Sequence, residues 1–203
     1  MIESLERAAG RAVSRETFDR LALYAALLRA ESERQNLVSV ATLDNLWDRH
    51  ILDSAQLARF EPDSGASWVD IGSGAGLPGV VLACLVDGPV TLVEPRRLRG
   101  EFLRTVVREL GLNARVEVAK AERIAGMFDA ITGRAVASMG TFLRMCDHLS
   151  TKNTVWILPK GRNAQSELAD AQRTWQGVFH VEQSVTDADS RIIVGTGVRA
   201  RNR

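Results

Sequence analysis

Only two cysteines, Cys84 and Cys146, stand in 203 residues, with no CxxC or HExxH pattern near either. That scarcity argues against a disulfide framework and against a zinc site, so no metal is expected. Long apolar runs are missing too: the longest, around residues 76–86, falls far short of the roughly 20 residues that a membrane helix needs. No basic-then-apolar leader opens the sequence, so neither a signal peptide nor a membrane partner is expected, and a cytoplasmic location is. Net charge is almost absent, +1 from 26 basic and 25 acidic residues, whereas a non-specific nucleic-acid coat is usually far more basic. Lysine is scarce, since 23 of the 26 basic residues are Arg, among them Arg199, Arg201 and Arg203 near the end. Arg suits bidentate phosphate recognition, although a codon bias toward Arg would give the same composition. What is present, 45% apolar and 25% charged residues, is the balance of a folded globular chain and excludes disorder. No long apolar stripe calls for self-association, so a monomer is expected.

No internal repeat or low-complexity tract divides the chain. Residues 14–33 carry Phe18, Leu21, Ala22, Ala25 and Leu28 at helical spacing, and residues 44–60 carry Leu46, Trp47, His50, Ile51 and Leu57 in the same way. The turn-forming stretch 61–67 then marks a boundary, which predicts a helical N-terminal cap over 1–62 and a second domain over 63–203. Beyond it, β-like runs at 68–71, 90–93, 115–119, 128–132, 155–158, 178–185 and 191–198 alternate with helical patterns at 77–86, 98–110, 139–149 and 164–175. Such alternation predicts an α/β, Rossmann-like, mostly parallel seven-stranded sheet with helices on both faces. The last two runs, lacking a helix between them, predict a terminal antiparallel hairpin.

Ligands of such sheets bind beyond the carboxyl ends of the strands. After the first strand comes Asp70-Ile71-Gly72-Ser73-Gly74-Ala75-Gly76-Leu77-Pro78-Gly79, and the second strand ends in Glu94. One reading is the GxGxxG dinucleotide fingerprint of a dehydrogenase, with Glu94 on a ribose. The other is the GxGxG loop of an S-adenosylmethionine-dependent methyltransferase, to which Asp70 also belongs; a tight turn without a ligand is the bland alternative. Lys120-Ala121-Glu122 follows the third strand, where an adenine edge would lie. Gly133-Arg134-Ala135 follows the fourth and Pro159-Lys160-Gly161-Arg162 the fifth, a cationic wall suited to a phosphate-rich substrate.

From about Ser14 to Val198 the chain resembles the bacterial small-subunit ribosomal RNA guanine-N7 methyltransferases, the glucose-inhibited division protein B family. The resemblance rests on Asn36–Val40 (NLVSV, with Val38 for the usual Thr), Arg49–Ser54 (RHILDS), the loop from Asp70 to Gly79, Phe128-Asp129 through Arg134-Ala135, and Lys160-Gly161. It implies a class I S-adenosylmethionine-dependent methyltransferase fold, with S-adenosylhomocysteine as product and 16S ribosomal RNA of the small subunit as partner. It implies cofactor contacts at Gly72, Leu77, Ala121, Glu122 and Arg134; the loop argument adds Asp70, Gly74, Gly76 and Glu94. Two departures stand out: Gly133 where the family often has Ser, and Leu98-Arg99 where Lys-Arg is common, with Arg96 and Arg97 as replacements for the lost charge.

Guanine N7 has an in-plane lone pair and no proton, so no general base is needed and catalysis reduces to in-line positioning. Neither the Asn/Asp-Pro-Pro-aromatic signature of amine methylation nor a nucleophilic cysteine is evident, Cys84 and Cys146 reading as small core residues. Arg134 and Lys160 are the candidate catalytic residues. The candidate RNA-binding residues are Lys160, Arg162 and Arg191, with Arg134, Arg49 and His50 beside them; His50 also reads as a packing residue, and Trp156 as core. With so little net charge, recognition through RNA shape is expected. A small-molecule methyltransferase and a non-catalytic S-adenosylmethionine-binding ribosome factor remain the alternatives.

Overall fold

The computed structural model describes residues 1–39 and 43–201. Val40 of the NLVSV segment and Arg203 of the basic tail fall outside the described residues. The strands are β1 (Trp68–Ile71), β2 (Val90–Val93), β3 (Ala114–Glu117), β4 (Ala130–Thr132), β5 (Val155–Lys160), β6 (Trp175–Gln183) and β7 (Arg191–Ala200). They form one seven-stranded sheet in the order β3-β2-β1-β4-β5-β7-β6, in which β7 alone runs antiparallel to its neighbours. The order reverses between β1 and β4, the place where a crevice opens beyond the strand ends.

Two cores follow from the period-2 alternation of the strands. One face of the sheet, with Trp68, Leu92 and Ile157, packs against every helix of the first half: α1 (Ile2–Ala9), α2 (Arg15–Ser32), α3 (residues 47–60), α4 (Gly79–Leu85) and α5 (Arg97–Glu109). On the other face, Val69, Ile71, Ile131 and Trp156 pack against α6 (Met139–Cys146) and α7 (Ala164–Gln172). Cys84 and Cys146 are buried in these cores as free thiols.

The N-terminal helices have no core of their own. Leu5, Leu21, Tyr24, Leu28 and Ile51 are fully buried in the cluster that also holds Trp68 and Leu92 of the sheet. Helix α2 begins where Ser14 Oγ accepts from Thr17 N at 3.0 Å. Helix α3 is irregular: a wide π turn over Trp47–Leu52 passes through α geometry at Asp53–Ala55 and tightens to 3-10 over Gln56–Phe60. Such widened turns re-aim side chains and cluster at functional sites.

Several boundaries differ from the sequence pattern. Helix α1 was not anticipated, because its buried side includes the small Ala8 and Ala9, which carry little apolar signal. Trp175 opens β6 instead of closing a helix, and its ring is buried against the sheet's second core. Helix α4 starts at Gly79, after a turn that contains the cis Leu77–Pro78 bond.

Gly79 shows how tightly the first turn of α4 seats on the sheet. An added Cβ there would lie 2.6 Å from Asp70 Oδ2 and press on Leu92, whereas at Gly161 it would meet nothing within 4 Å. Gly79→Ala should therefore lower the unfolding free energy by about 1–3 kcal/mol, and Gly161→Ala should shift it by no more than about 0.5 kcal/mol. Urea denaturation of the two variants beside the wild type tests this contrast; equal midpoints would contradict it.

Candidate active site

The loop between β1 and α4 must turn sharply at the sheet's switch point, and its backbone amides need partners. Gly72 N and Ser73 N donate to Val93 O at 2.8 and 3.0 Å, tying the loop to β2. Gly74 N donates to Glu94 Oε2 at 2.9 Å. From behind, Asp70 Oδ2 accepts from Gly79 N at 3.0 Å. Gly76 has φ of +99°, and a Cβ there would press on Val80 and on the Tyr24 hydroxyl. That hydroxyl donates to Ala75 O at 2.8 Å, so α2 of the cap holds the loop directly.

In front of the loop lies a cleft of about 470 Å³. Its floor is Gly72 to Ala75 with Leu77; one wall is Glu94, Pro95, Arg96 and Arg99, the other Arg134, Ala135 and Val136, and Leu37 and Val38 close it from the cap side. Glu94 is only 3% exposed, and its second oxygen, Oε1, accepts from Arg96 N at 2.9 Å. Each carboxylate oxygen thus holds one amide and keeps a lone pair, an acceptor set that matches vicinal hydroxyls. Arg99 Nη2 donates to Asn36 O at 3.2 Å, which fastens the cap segment over the cleft.

A second, polar pocket of about 280 Å³ adjoins the cleft, and Arg134 and Ala135 belong to both linings. Ala135 sits at φ of +56°, a strained conformation for a residue with a Cβ. Arg134 Nη1 contacts Asp53 Oδ2 of α3 at 3.4 Å. Asp53 Oδ1 accepts from Gln56 Nε2 and from Thr186 Oγ1, each at 2.9 Å. Gln56 Oε1 accepts in turn from Val185 N at 2.9 Å, which binds the β6–β7 loop to the cap. Across the pocket Lys160 Nζ bonds Glu167 Oε2 at 2.9 Å and Ala137 O at 3.3 Å. Arg191 lies opposite Lys160 in the β5–β7 register, and its Nη1 donates to Ala188 O and Ser190 O at 2.7 and 2.8 Å.

The expected site residues therefore divide. Gly72, Gly74, Leu77, Glu94 and Arg134 line the cleft, while Arg134, Lys160 and Arg191 line the polar pocket. Asp70 and Gly76 shape the loop without lining the cleft. Ala121 and Glu122 sit in the turn after β3, Ala121 buried and Glu122 exposed, outside the cleft lining. Arg162 and Arg49 lie exposed outside both linings, paired with Asp189 at 2.6 Å and Asp187 at 3.5 Å. His50, expected both as an RNA-facing and as a packing residue, is half-buried. Burial, with the Arg134 charge beside it, pushes its pKa down to about 4, and both ring nitrogens are shielded from solvent with no hydrogen-bond partner among the described residues. The departure at Gly133 has a steric reason, since a Cβ there would lie 2.6 Å from the Phe142 ring and 2.8 Å from Ile71 O.

Sequence reasoning missed Tyr24, Asp53, Gln56, Glu167, Ser184 and Thr186. Asp53 lies inside the RHILDS segment, but nothing in sequence spacing brings it to Arg134, 81 residues on.

Residues 17–193 match the GidB family model, described as rRNA small subunit methyltransferase G. The chain is similar to the ribosomal RNA small subunit methyltransferase G of Sphingopyxis alaskensis, 48% identical over 190 residues that cover 92% of this chain and 81% of that protein. The protein of the same name from Zymomonas mobilis is 42% identical over 200 residues, covering 94% and 90%. Among solved structures, a TehB-like SAM-dependent methyltransferase from Corynebacterium glutamicum superposes with a TM-score of 0.59 at 18% identity, over 83% of this chain and 98% of that one. At that identity the likeness speaks for the fold alone, which is that of the class I S-adenosylmethionine-dependent methyltransferases.

Burial pushes the Asp70 carboxyl up to about 7 from an ordinary value of 3.8, and its Oδ1 has no hydrogen-bond partner among the described residues. Between those two pH values the folded chain holds a proton that the unfolded chain has released, so this group's contribution to stability falls as pH rises and levels off above about 7. Asp70→Asn keeps an acceptor for Gly79 N and removes the titration. Urea midpoints measured from pH 4 to 8 should fall more steeply for the wild type than for the variant; parallel profiles would refute the assignment.

Proposed function

We propose, for a chain that belongs to the GidB family of rRNA small subunit methyltransferases, that it transfers a methyl group from S-adenosylmethionine to N7 of one guanine in 16S ribosomal RNA of the small subunit. The observation that carries this reading is the wall formed by Arg134 and Ala135, which separates a cleft built for a nucleoside from a polar pocket with room for one base. The helices of residues 1–62 act as the cap, and residues 63–203 as the methyltransferase domain, working as a monomer in the cytoplasm.

The cleft suits the cofactor. Glu94 offers two nearly buried acceptor oxygens for ribose hydroxyls, and at Gly72 a Cβ would run into Val136, 2.8 Å away, so the loop backbone stays open to a close approach. When bound there, S-adenosylmethionine supplies a methyl group already activated by its sulfonium, so that only an aligned lone pair is required. The N7 lone pair forms the new N–C bond as the C–S bond breaks, and the electron pair of that bond stays on sulfur. The purine ring gains the positive charge.

No residue has to take a proton in that step, and the pocket accords with this. Its carboxylates, Asp53 and Glu167, are ion-paired with Arg134 and Lys160, which favours their charged, unprotonated forms. Arg134 is held by Asp53 at the shared wall, where it positions the base against the cleft; Lys160 is held by Glu167 across the pocket. Arg191, Arg162 and Arg49 then meet the phosphates beyond. The contribution of the protein is alignment and exclusion of water.

The test is transfer of labelled methyl to small ribosomal subunits lacking the modification, with naked ribosomal RNA alongside and chain cleavage at 7-methylguanosine to place the product. One cleavage site is expected in 16S RNA, with Arg134→Ala lowering the rate by about 100-fold or more. Failure to label any RNA while S-adenosylmethionine still binds would overturn the reading.

A further inference from the structure

We infer that the Lys160–Glu167 ion pair is the element that selects guanine over adenine, by reading O6 and N1–H of the target base side by side. This deepens the proposed function and rests on it. Two carboxylates line the polar pocket, and they are not equivalent. Both oxygens of Asp53 are engaged, Oδ1 by Gln56 and Thr186 and Oδ2 by Arg134. Among the described residues the hydrogen bonds of Glu167 both fall on Oε2, from Lys160 Nζ at 2.9 Å and Met139 N at 3.0 Å, which leaves Oε1 to accept. Lys160 in turn spends two of its three protons, on Glu167 and on Ala137 O.

The pair, joined at 2.9 Å through Oε2 and lining the polar pocket of about 280 Å³, therefore keeps one donor proton on Nζ and one acceptor, Oε1. Guanine carries the complementary set on adjacent ring positions, O6 as acceptor and N1–H as donor. Adenine carries the reverse, an amine donor beside an N1 acceptor, so that a proton would face the ammonium and a lone pair the carboxylate. Both contacts would repel, and selection by repulsion is as effective as selection by attraction. Neither contact uses N7, which stays free to meet the methyl group at the Arg134–Ala135 wall. The positive charge that the ring gains during transfer is shared with N1–H, so the Glu167 contact strengthens as the reaction proceeds.

The experiment uses small subunits reconstituted with 16S ribosomal RNA carrying guanine, hypoxanthine or 2-aminopurine at the methylated position. Hypoxanthine keeps O6, N1–H and N7; 2-aminopurine keeps N7 but has no O6 and offers a lone pair at N1. The wild type is expected to methylate hypoxanthine within about tenfold of guanine, and 2-aminopurine roughly 10- to 100-fold more slowly. Glu167→Gln, whose amide can donate to N1, should slow guanine and not 2-aminopurine, shrinking that ratio by about tenfold while S-adenosylhomocysteine affinity holds. Equal slowing of all three bases would mean that Glu167 only braces Lys160, and would overturn the inference. So would a wild type that treats 2-aminopurine like guanine, a result that needs no variant to fold. If the wild type fails on guanine itself, the proposed reaction falls and this inference with it; a failure confined to the base ratios leaves the reaction standing.

Discussion

A turn rich in glycine has little side-chain packing to fix it, so the loop between β1 and α4 depends on where its backbone amides find acceptors. Two nearly buried carboxylates provide them from opposite sides. Glu94 takes Gly74 N from the cleft side, and Asp70 takes Gly79 N from within the core. Burying a carboxylate is costly unless it is satisfied, and the two residues meet that cost differently. Glu94 engages both oxygens with amides, whereas Asp70 engages one and has its pKa raised by burial to the point where it holds a proton near neutrality. Everything further out rests on this frame, because the loop is the floor of the cleft.

The cap carries the second half of the site. Its Tyr24 reaches Ala75 in the loop, and its Asp53 and Gln56 reach Arg134 after β4 and the segment from Ser184 to Thr186 between β6 and β7. Three distant parts of the chain thus meet at one network, and removing the cap would leave Arg134 without its carboxylate and the β6–β7 loop without its anchor. The Arg134–Asp53 pair is partly buried, with each side chain about a quarter exposed. Partly buried pairs contribute little net stability, since desolvation offsets attraction. What the contact does is fix the orientation of the guanidinium.

The sheet was legible in the sequence because buried parallel strands are short apolar runs, and β1, β2 and β5 fall on theirs. The cleft in front of the loop was legible because a glycine loop and the acidic residue ending the next strand lie close together in the chain. The polar pocket was only half legible. Arg134, Lys160 and Arg191 stand at strand ends, where the fold rule looks for function, but their partners do not. Asp53 and Gln56 sit on an irregular helix far upstream, and Glu167 lies on a helix face with nothing in its local spacing to mark it. His50 was legible only in part: a basic residue in a basic motif reads equally as a surface cation or as a packing residue until its burial is known.

On the proposed function, these pairings also bear on how a chain with a net charge of +1 would address a polyanion. Arg49 and Arg162 are held by Asp187 and Asp189 of the β6–β7 loop, and both pairs are largely open to solvent. An exposed ion pair contributes little, because water and salt screen it, so exchanging the carboxylate for a phosphate costs little. Such an exchange gains little on random RNA, because the loop aspartates compete for the same guanidinium groups. It becomes favourable where the RNA sets phosphates at these arginines and a base in the pocket together. On the proposed function, near-neutrality is part of the selectivity: pre-paired arginines suppress binding driven by charge alone, and recognition then depends on the shape of the RNA.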